Sequence, residues 1–262
     1  MHNGIHLIFI LGENMIVKGN LVDCTEKGTI RIREKNCIVI EEGIISKIYS
    51  ENELPDSLKN EKIEDYGDSL IIPGLIDMHL HAPQFAFRGL GMDMELLDWL
   101  NTYTFPEEAK YKDIEYAKKA YKKFVDALAK SYSTRAIVFA TLHTQATILL
   151  MDMLEESGLK CFVGKVNMDR NSTDELIETT ESSIDSTNKW LEVCESRYQN
   201  TKPVITPRFI PSCSDKLMKE LGKIRGENYG LQSHLSENPK EIEWVKELCP
   251  DATGYLDAYD KR

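Results

Sequence analysis

Hydrophobic and polar positions follow two different rhythms along this chain, and the change falls near residue 70. From residue 15 to about residue 69, short runs rich in β-branched residues alternate with turn signals: Ile16 to Val22, Thr29 to Arg33, Cys37 to Ile40, then Glu42-Gly43, then Ile44 to Tyr49. Such runs, closed off by glycine and charged residues, predict short strands joined by tight turns in a small antiparallel unit. The charged stretch Glu51 to Asp68 reads as a connection to the apolar run Leu70 to Asp77. Residues 1–14, with His2 and His6, read as an N-terminal extension, and Met15 as a natural beginning.

Beyond residue 70 the chain alternates strand and helix. Gly74 to His79, Ala136 to Leu142, Lys160 to Val166, Pro203 to Pro207 and Gly230 to His234 are strand candidates. Between and after them, Asp113 to Lys130, Thr147 to Ser157, Thr173 to Tyr198, Ser214 to Ile224 and Pro239 to Leu248 have helical spacing. In the first of these helices Ala117, Ala120, Tyr121, Phe124 and Leu128 fall on one face. Repeated strand-helix units predict an α/β fold with parallel strands and crossover helices. The expected organisation is therefore an extension over 1–14, a small β portion over 15–69 and an α/β body over 70–262.

Composition narrows the function classes. With 262 residues, 42% of them hydrophobic and 29% charged, the chain is an ordinary globular one, large enough for one big domain or two smaller ones. A formal net charge of −11 repels phosphate backbones and anionic membranes, so nucleic acid is not an expected partner. No run approaches the ~18 apolar residues of a spanning helix, and no export signal is visible, so the expectation is a cytoplasmic protein with no membrane partner. The six cysteines are scattered and read as reduced thiols. Neither a phosphate-binding glycine loop nor the H-x-E with P-C-x-x-C signature of the zinc nucleobase deaminases is present.

The densest chemistry lies in Pro73-Gly74-Leu75-Ile76-Asp77-Met78-His79-Leu80-His81-Ala82-Pro83-Gln84. Residues i and i+2 of a strand face the same side, so His79 and His81 can offer two imidazoles to one point. A bare H-x-H is more often a surface or core pair, but this one sits at a strand end, after Pro-Gly and just before another proline. A second candidate is Gln232-Ser233-His234-Leu235-Ser236-Glu237-Asn238, where a strand ends in a histidine and a carboxylate follows three residues later. Glu237 can serve as a proton acceptor beside a metal, or Ser236 and Glu237 can simply cap the helix that starts near Pro239. In Pro207-Arg208-Phe209 the arginine can donate in a fixed fork and the phenylalanine can pack on a flat ring, or both can be structural. Ser212 and Ser214 read as helix caps, and His143 as structural or pocket-lining.

Taken together these strings resemble the amidohydrolase superfamily and, within it, the guanine deaminases, whose H-x-H is followed by the same Ala-Pro-Gln. Trp99 to Pro106, Gly164 to Asn171, Pro207-Arg208-Phe209, Ser212-Cys213-Ser214, Gln232 to Asn238 and Tyr259-Asp260-Lys261 are similar segments in the same order. The resemblance implies a TIM-like (β/α)-barrel of the metal-dependent hydrolase type with a small N-terminal β-sandwich portion. It further implies one zinc ion, hydrolysis of guanine to xanthine and ammonia, a small-molecule purine as partner, and a homodimer. By position, His79, His81 and His234 would be metal ligands, and Glu237 the catalytic proton shuttle. His81, Gln84, Arg208, Phe209, His234 and Glu237 would contact the purine. Rival readings are another aminohydrolase or a chlorohydrolase on the same scaffold, and a catalytically silent remnant.

The resemblance also carries an expectation of incompleteness. The 193 residues from Leu70 onward fall short of the ~250 of a full barrel, so about five of eight strands are expected. A fourth metal ligand, an Asp on the eighth strand, and a substrate-facing His on the sixth would both lie beyond Arg262.

Overall fold

In the computed structural model, residues 14–262 are described, so all but the last residue of the expected extension, His2 and His6 included, lies outside the described residues. The chain forms two compact units, one reaching to Leu75 and the other spanning Ile76–Arg262.

The first unit is a four-stranded sheet of β1 (Met15–Cys24), β2 (Ile30–Glu41), β3 (Ile44–Ser50) and β4 (Ile63–Ile71), in the order β3-β2-β1-β4. Side chains alternate across the sheet as the strand period requires. Val17, Ile38 and Ile40 are buried in one cluster, while Ile16, Cys37 and Val39 join another with Leu54. Two expectations are corrected here. The Thr29 to Arg33 and Cys37 to Ile40 runs belong to one strand, carried through its charged middle by Asp23 on β1, which pairs with Arg31 at 2.7 Å and Arg33 at 2.5 Å. The unit is also not wholly antiparallel. β4 emerges from the charged stretch that reads as a connection and pairs parallel with β1, because the residues between β3 and β4 are numerous enough for the crossover that a parallel pair demands.

The second unit begins at β5 (Leu75–His81) and continues with α1 (Leu96–Trp99), α2 (Phe105–Ala109), α3 (Ile114–Leu128), β6 (Ser133–Phe139), α4 (Thr144–Glu156), β7 (Lys160–Gly164), β8 (Val166–Asn167), α5 (Thr180–Arg197), β9 (Thr201–Pro207), α6 (Asp215–Arg225), β10 (Gly230–Leu231), α7 (Pro239–Leu248) and α8 (Tyr255–Asp260). Its strands run β10-β9-β7-β6-β5, and the β6–β7, β7–β9 and β9–β10 pairs are parallel. This is the strand-helix alternation expected from the sequence. α3 starts where the Asp113 carboxylate accepts from the Glu115 and Tyr116 amides, and it buries Ala117, Tyr121, Phe124 and Leu128. Those residues join the main core with Val138 of β6, Leu150 and Leu154 of α4, Trp190 of α5 and Leu217 and Leu221 of α6. Each of the leucine, valine and phenylalanine side chains among them contributes about 1.5–3 kcal/mol when fully buried, so the sheet that presents the site is firmly backed by helices.

The helix expected from Thr173 begins only at Thr180. A short 3₁₀ turn, Asp174–Leu176, precedes it and buries Leu176. The Glu178 amide donates to the Met168 carbonyl, and its carboxylate pairs with the buried ammonium of Lys165 at 3.0 Å. These long-range bonds outcompete the local helical ones.

Candidate active site

Strand ends deliver the site residues. β5 ends in His79 and His81, Arg208 and Phe209 directly follow β9, and His234 comes three residues after the end of β10. Parallel strands bring their C-terminal ends to the same side, so residues separated by more than 150 positions meet there. His79, His81, Gln84, Arg208, Phe209, His234 and Glu237 all line one cavity of about 360 Å³, with Leu96, Trp99 and Leu100 completing the wall. That volume suits a small organic ligand. His143 is not among the lining residues.

The three histidines form the one cluster of metal-ligating side chains among the described residues, with one donor atom from each lying within 4.8 Å of the others. His81 Nε2 and His234 Nε2 are 2.9 Å apart. His234 Nδ1 sits 2.6 Å from the Arg208 carbonyl oxygen and must carry the proton to donate to it, which leaves Nε2 with its lone pair facing the cluster. All three histidines are held below the ordinary imidazole pKa, chiefly by burial. For His234, burial and then the Arg208 charge bring the value to about 3. Three neutral imidazoles converging on one point are a donor set that fits a divalent metal such as zinc. Phe139 walls the cluster, stacking on His81 at 4.5 Å and tilting over His234 at 4.4 Å.

Glu237 is not a helix cap. Asn238 caps α7, its side chain accepting from the Lys240 amide, while the buried carboxylate of Glu241 accepts from the Glu237 and Asn238 amides at 2.8 and 3.1 Å. Left free of capping, the Glu237 carboxyl lines the cavity, and its pKa is raised by burial and then by the Glu241 charge, with Arg208 opposing. Ser214 does cap its helix, whereas Ser212 donates to the Phe209 carbonyl instead.

Sequence reading missed three contributors. The Glu108 carboxylate meets the Arg208 guanidinium at 2.6 and 3.2 Å in a pair almost wholly removed from water. Phe139 looks like any strand-end apolar residue, and Glu241 like a surface glutamate near a helix start. Only the Asn238-Pro239-x-Glu241 pattern of a capping box gave any signal for the last.

A parallel α/β unit with a histidine cluster at its strand ends that could hold a metal is the arrangement of a metal-dependent hydrolase fold, and the chain belongs to the amidohydrolase family, which it matches over residues 70–262. It is 40% identical over 261 residues to a guanine deaminase of Dictyostelium discoideum, covering 93% of this chain and 58% of that protein. A human guanine deaminase is 45% identical over 193 residues, 72% of this chain and 42% of the other. Among solved structures, the guanine deaminase of C. acetobutylicum with guanine bound in its active site superposes with a TM-score of 0.90 at 44% identity, covering 95% of this chain and 59% of that one. The chain thus spans between 42% and 59% of the length of these relatives. No helix among the described residues is long and apolar enough to cross a membrane.

Proposed function

We propose that this chain carries most of the active site of a zinc-dependent guanine deaminase, hydrolysing guanine to xanthine and ammonia in the cytoplasm. The observation that carries the reading is the convergence of His79, His81 and His234 with Gln84, Arg208, Phe209 and Glu237 around one cavity. Support comes from relatives at 40% and 45% identity that are guanine deaminases. The second unit would be the first five strands of a (β/α)-barrel, and the first unit part of a β-sandwich. The exposed Ile30, Ile32 and Ile44 of its sheet favour that, since an apolar sheet face calls for a covering layer. The domains would divide at about residue 70, and the complete protein would be a homodimer.

In this reading His79, His81 and His234 hold the metal, which when bound supplies Lewis-acid activation of water. The chain's own residues do the rest. Phe209 packs on the flat purine, and Gln84 and Arg208 hydrogen-bond its polar edge. Adenine is rejected because groups built for the guanine carbonyl would be left unpaired. Glu237, made more basic than an ordinary carboxylate by burial and the Glu241 charge, takes a proton from water as the C2–O bond forms. It passes that proton to N3 of the ring, then carries the remaining proton of the added hydroxyl to the amino group as the C2–O bond becomes a carbonyl, the C2–N bond breaks and ammonia departs.

The test is ammonia release from guanine by the complete protein loaded with zinc, against adenine as a second substrate. Turnover of guanine alone supports the reading, and absence of turnover or a preference for adenine overturns it.

A further inference from the structure

We propose that Glu108 is a positioning and specificity-determining residue, which fixes the guanidinium of Arg208 so that its free N–H groups meet a neutral carbonyl acceptor in the cavity. This rests on the purine reading of the cavity and adds a residue that reading does not contain.

The geometry is that of a built pair. Arg208 and Glu108 are separated by 100 residues, their side chains are 3% and 1% exposed, and they meet end-on, Nη1 to Oε2 and Nη2 to Oε1. A fork-to-fork contact fixes the plane of the guanidinium as well as its place. It uses one N–H on each terminal nitrogen, so three of the five donors remain for other partners. Arg208 lines the cavity wall. The helix that supplies Glu108 also supplies Phe105 one turn earlier, its ring centroid 5.3 Å from the Arg208 Cζ, so a carboxylate and an aromatic face hold the guanidinium together. The adjacent Glu107 is engaged elsewhere, with Lys110 at 2.7 Å and with the Tyr116 hydroxyl. Two neighbouring glutamates therefore have separate partners, and only Glu108 meets Arg208.

Charge completes the argument. With Glu108 neutralising Arg208, that end of the cavity offers directed donors without a spare positive charge. An uncharged carbonyl on a flat ring is the matching ligand chemistry, and a carboxylate or phosphate is not.

The experiment compares guanine with 2-aminopurine, which keeps the ring and amino group and lacks the carbonyl, in the complete zinc-loaded protein. In Glu108→Gln the amide nitrogen would confront an Arg208 donor, so the fork must turn. The expected result is a rise in KM for guanine of about tenfold or more with little change in kcat, little change in affinity for 2-aminopurine, and hence collapse of the preference between them. Glu108→Asp keeps the charge but withdraws the carboxylate by one methylene, so it should recover part of the preference and serves as the readout if the Gln variant does not fold. Glu107→Gln, altering the same helix, should leave the preference unchanged. If Arg208→Met abolishes the preference while both Glu108 variants retain it, the inference fails and the purine reading stands. If Arg208→Met also retains it, Arg208 does not read the carbonyl, and both fail.

Discussion

The main-chain carbonyl of Arg208 accepts the Nδ1 proton of His234 at 2.6 Å, so the residue whose side chain faces the proposed purine end also sets the tautomer of a histidine at the proposed metal end. The His234 amide donates to the same oxygen at 3.1 Å. Because both bonds go to the backbone, imidazole orientation does not depend on the side chain at position 208. A histidine fixed through its second nitrogen is a stronger and better-aimed ligand than a free one.

Acid stability of the chelated protein follows from this arrangement. In the fold the His234 pKa is about 3, against 6.5 for a free imidazole. Between those values the unfolded chain binds a proton at this residue that the folded chain refuses, so the contribution of His234 to stability is fully present above pH 6.5 and is lost as the pH falls toward 3. His81, also lowered well below 6.5, adds to the effect. Urea midpoints of metal-free protein should therefore fall across this window, with a shallower slope in His234→Gln. Equal slopes would show that His234 does not titrate with unfolding.

Glu237 and Glu241 should separate in a pH profile. Glu237→Gln removes the proposed proton carrier and should cost about 10²-fold or more in kcat while leaving bound metal unchanged. Glu241→Gln keeps an acceptor for the Glu237 amide but removes the charge that helps raise the Glu237 pKa. The pKa then drops, and the acid limb of kcat/KM should move to lower pH. A limb that stays in place would mean that another group controls it.

Much of the site was legible because its signals are local. His79 and His81 sit two apart at a strand end, and His234 with Glu237 closes another, so residue type and period were enough. What stayed hidden depends on distant partners. Glu108 within Phe105-Pro106-Glu107-Glu108 looks like half of a solvated acidic pair until Arg208 is placed beside it, 100 residues later. β4 was obscured because Glu64, Asp65 and Asp68 resemble a linker. Its pairing with β1 is satisfied by backbone bonds and by Lys18, which reaches Asp65 at 2.9 Å, and none of this appears in a hydrophobic pattern.

Asp169 should matter more than its place in a connecting segment suggests. Its carboxylate accepts from the Ser214 amide at 2.6 Å, the Ser214 hydroxyl at 2.5 Å and the Thr180 hydroxyl at 2.6 Å, tying the start of α5, and Ser214 at the end of the segment that follows Arg208 and Phe209, to the segment after β8. Asp169→Ala leaves a half-buried amide and two half-buried hydroxyls to find new partners, at a cost of about 1–3 kcal/mol. Chemical denaturation measures that cost. Loosening of the Phe209 segment should appear as a KM for guanine that rises more than kcat falls.

Gly164 marks a close approach between β7 and β9. A Cβ there would lie 1.7 Å from Thr206 Oγ1, 2.7 Å from Thr206 Cβ and 2.5 Å from Gln232 Nε2. Thr206 is fully buried, its hydroxyl donating to the Val204 carbonyl at 3.0 Å and accepting from Gln232 at 2.9 Å. It therefore cannot turn away without breaking both bonds. Gly164→Ala must instead push β7 and β9 apart, and overpacking of this kind costs about 1–3 kcal/mol or more. Because β9 leads directly into Arg208, the displacement should also weaken guanine binding. Removing the obstructing side chain with Gly164→Ala/Thr206→Gly should restore part of the stability lost in the single variant, read from urea midpoints. A Gly164→Ala protein as stable as the parent would show that the two strands can separate freely, and that this contact does not fix the position of Arg208.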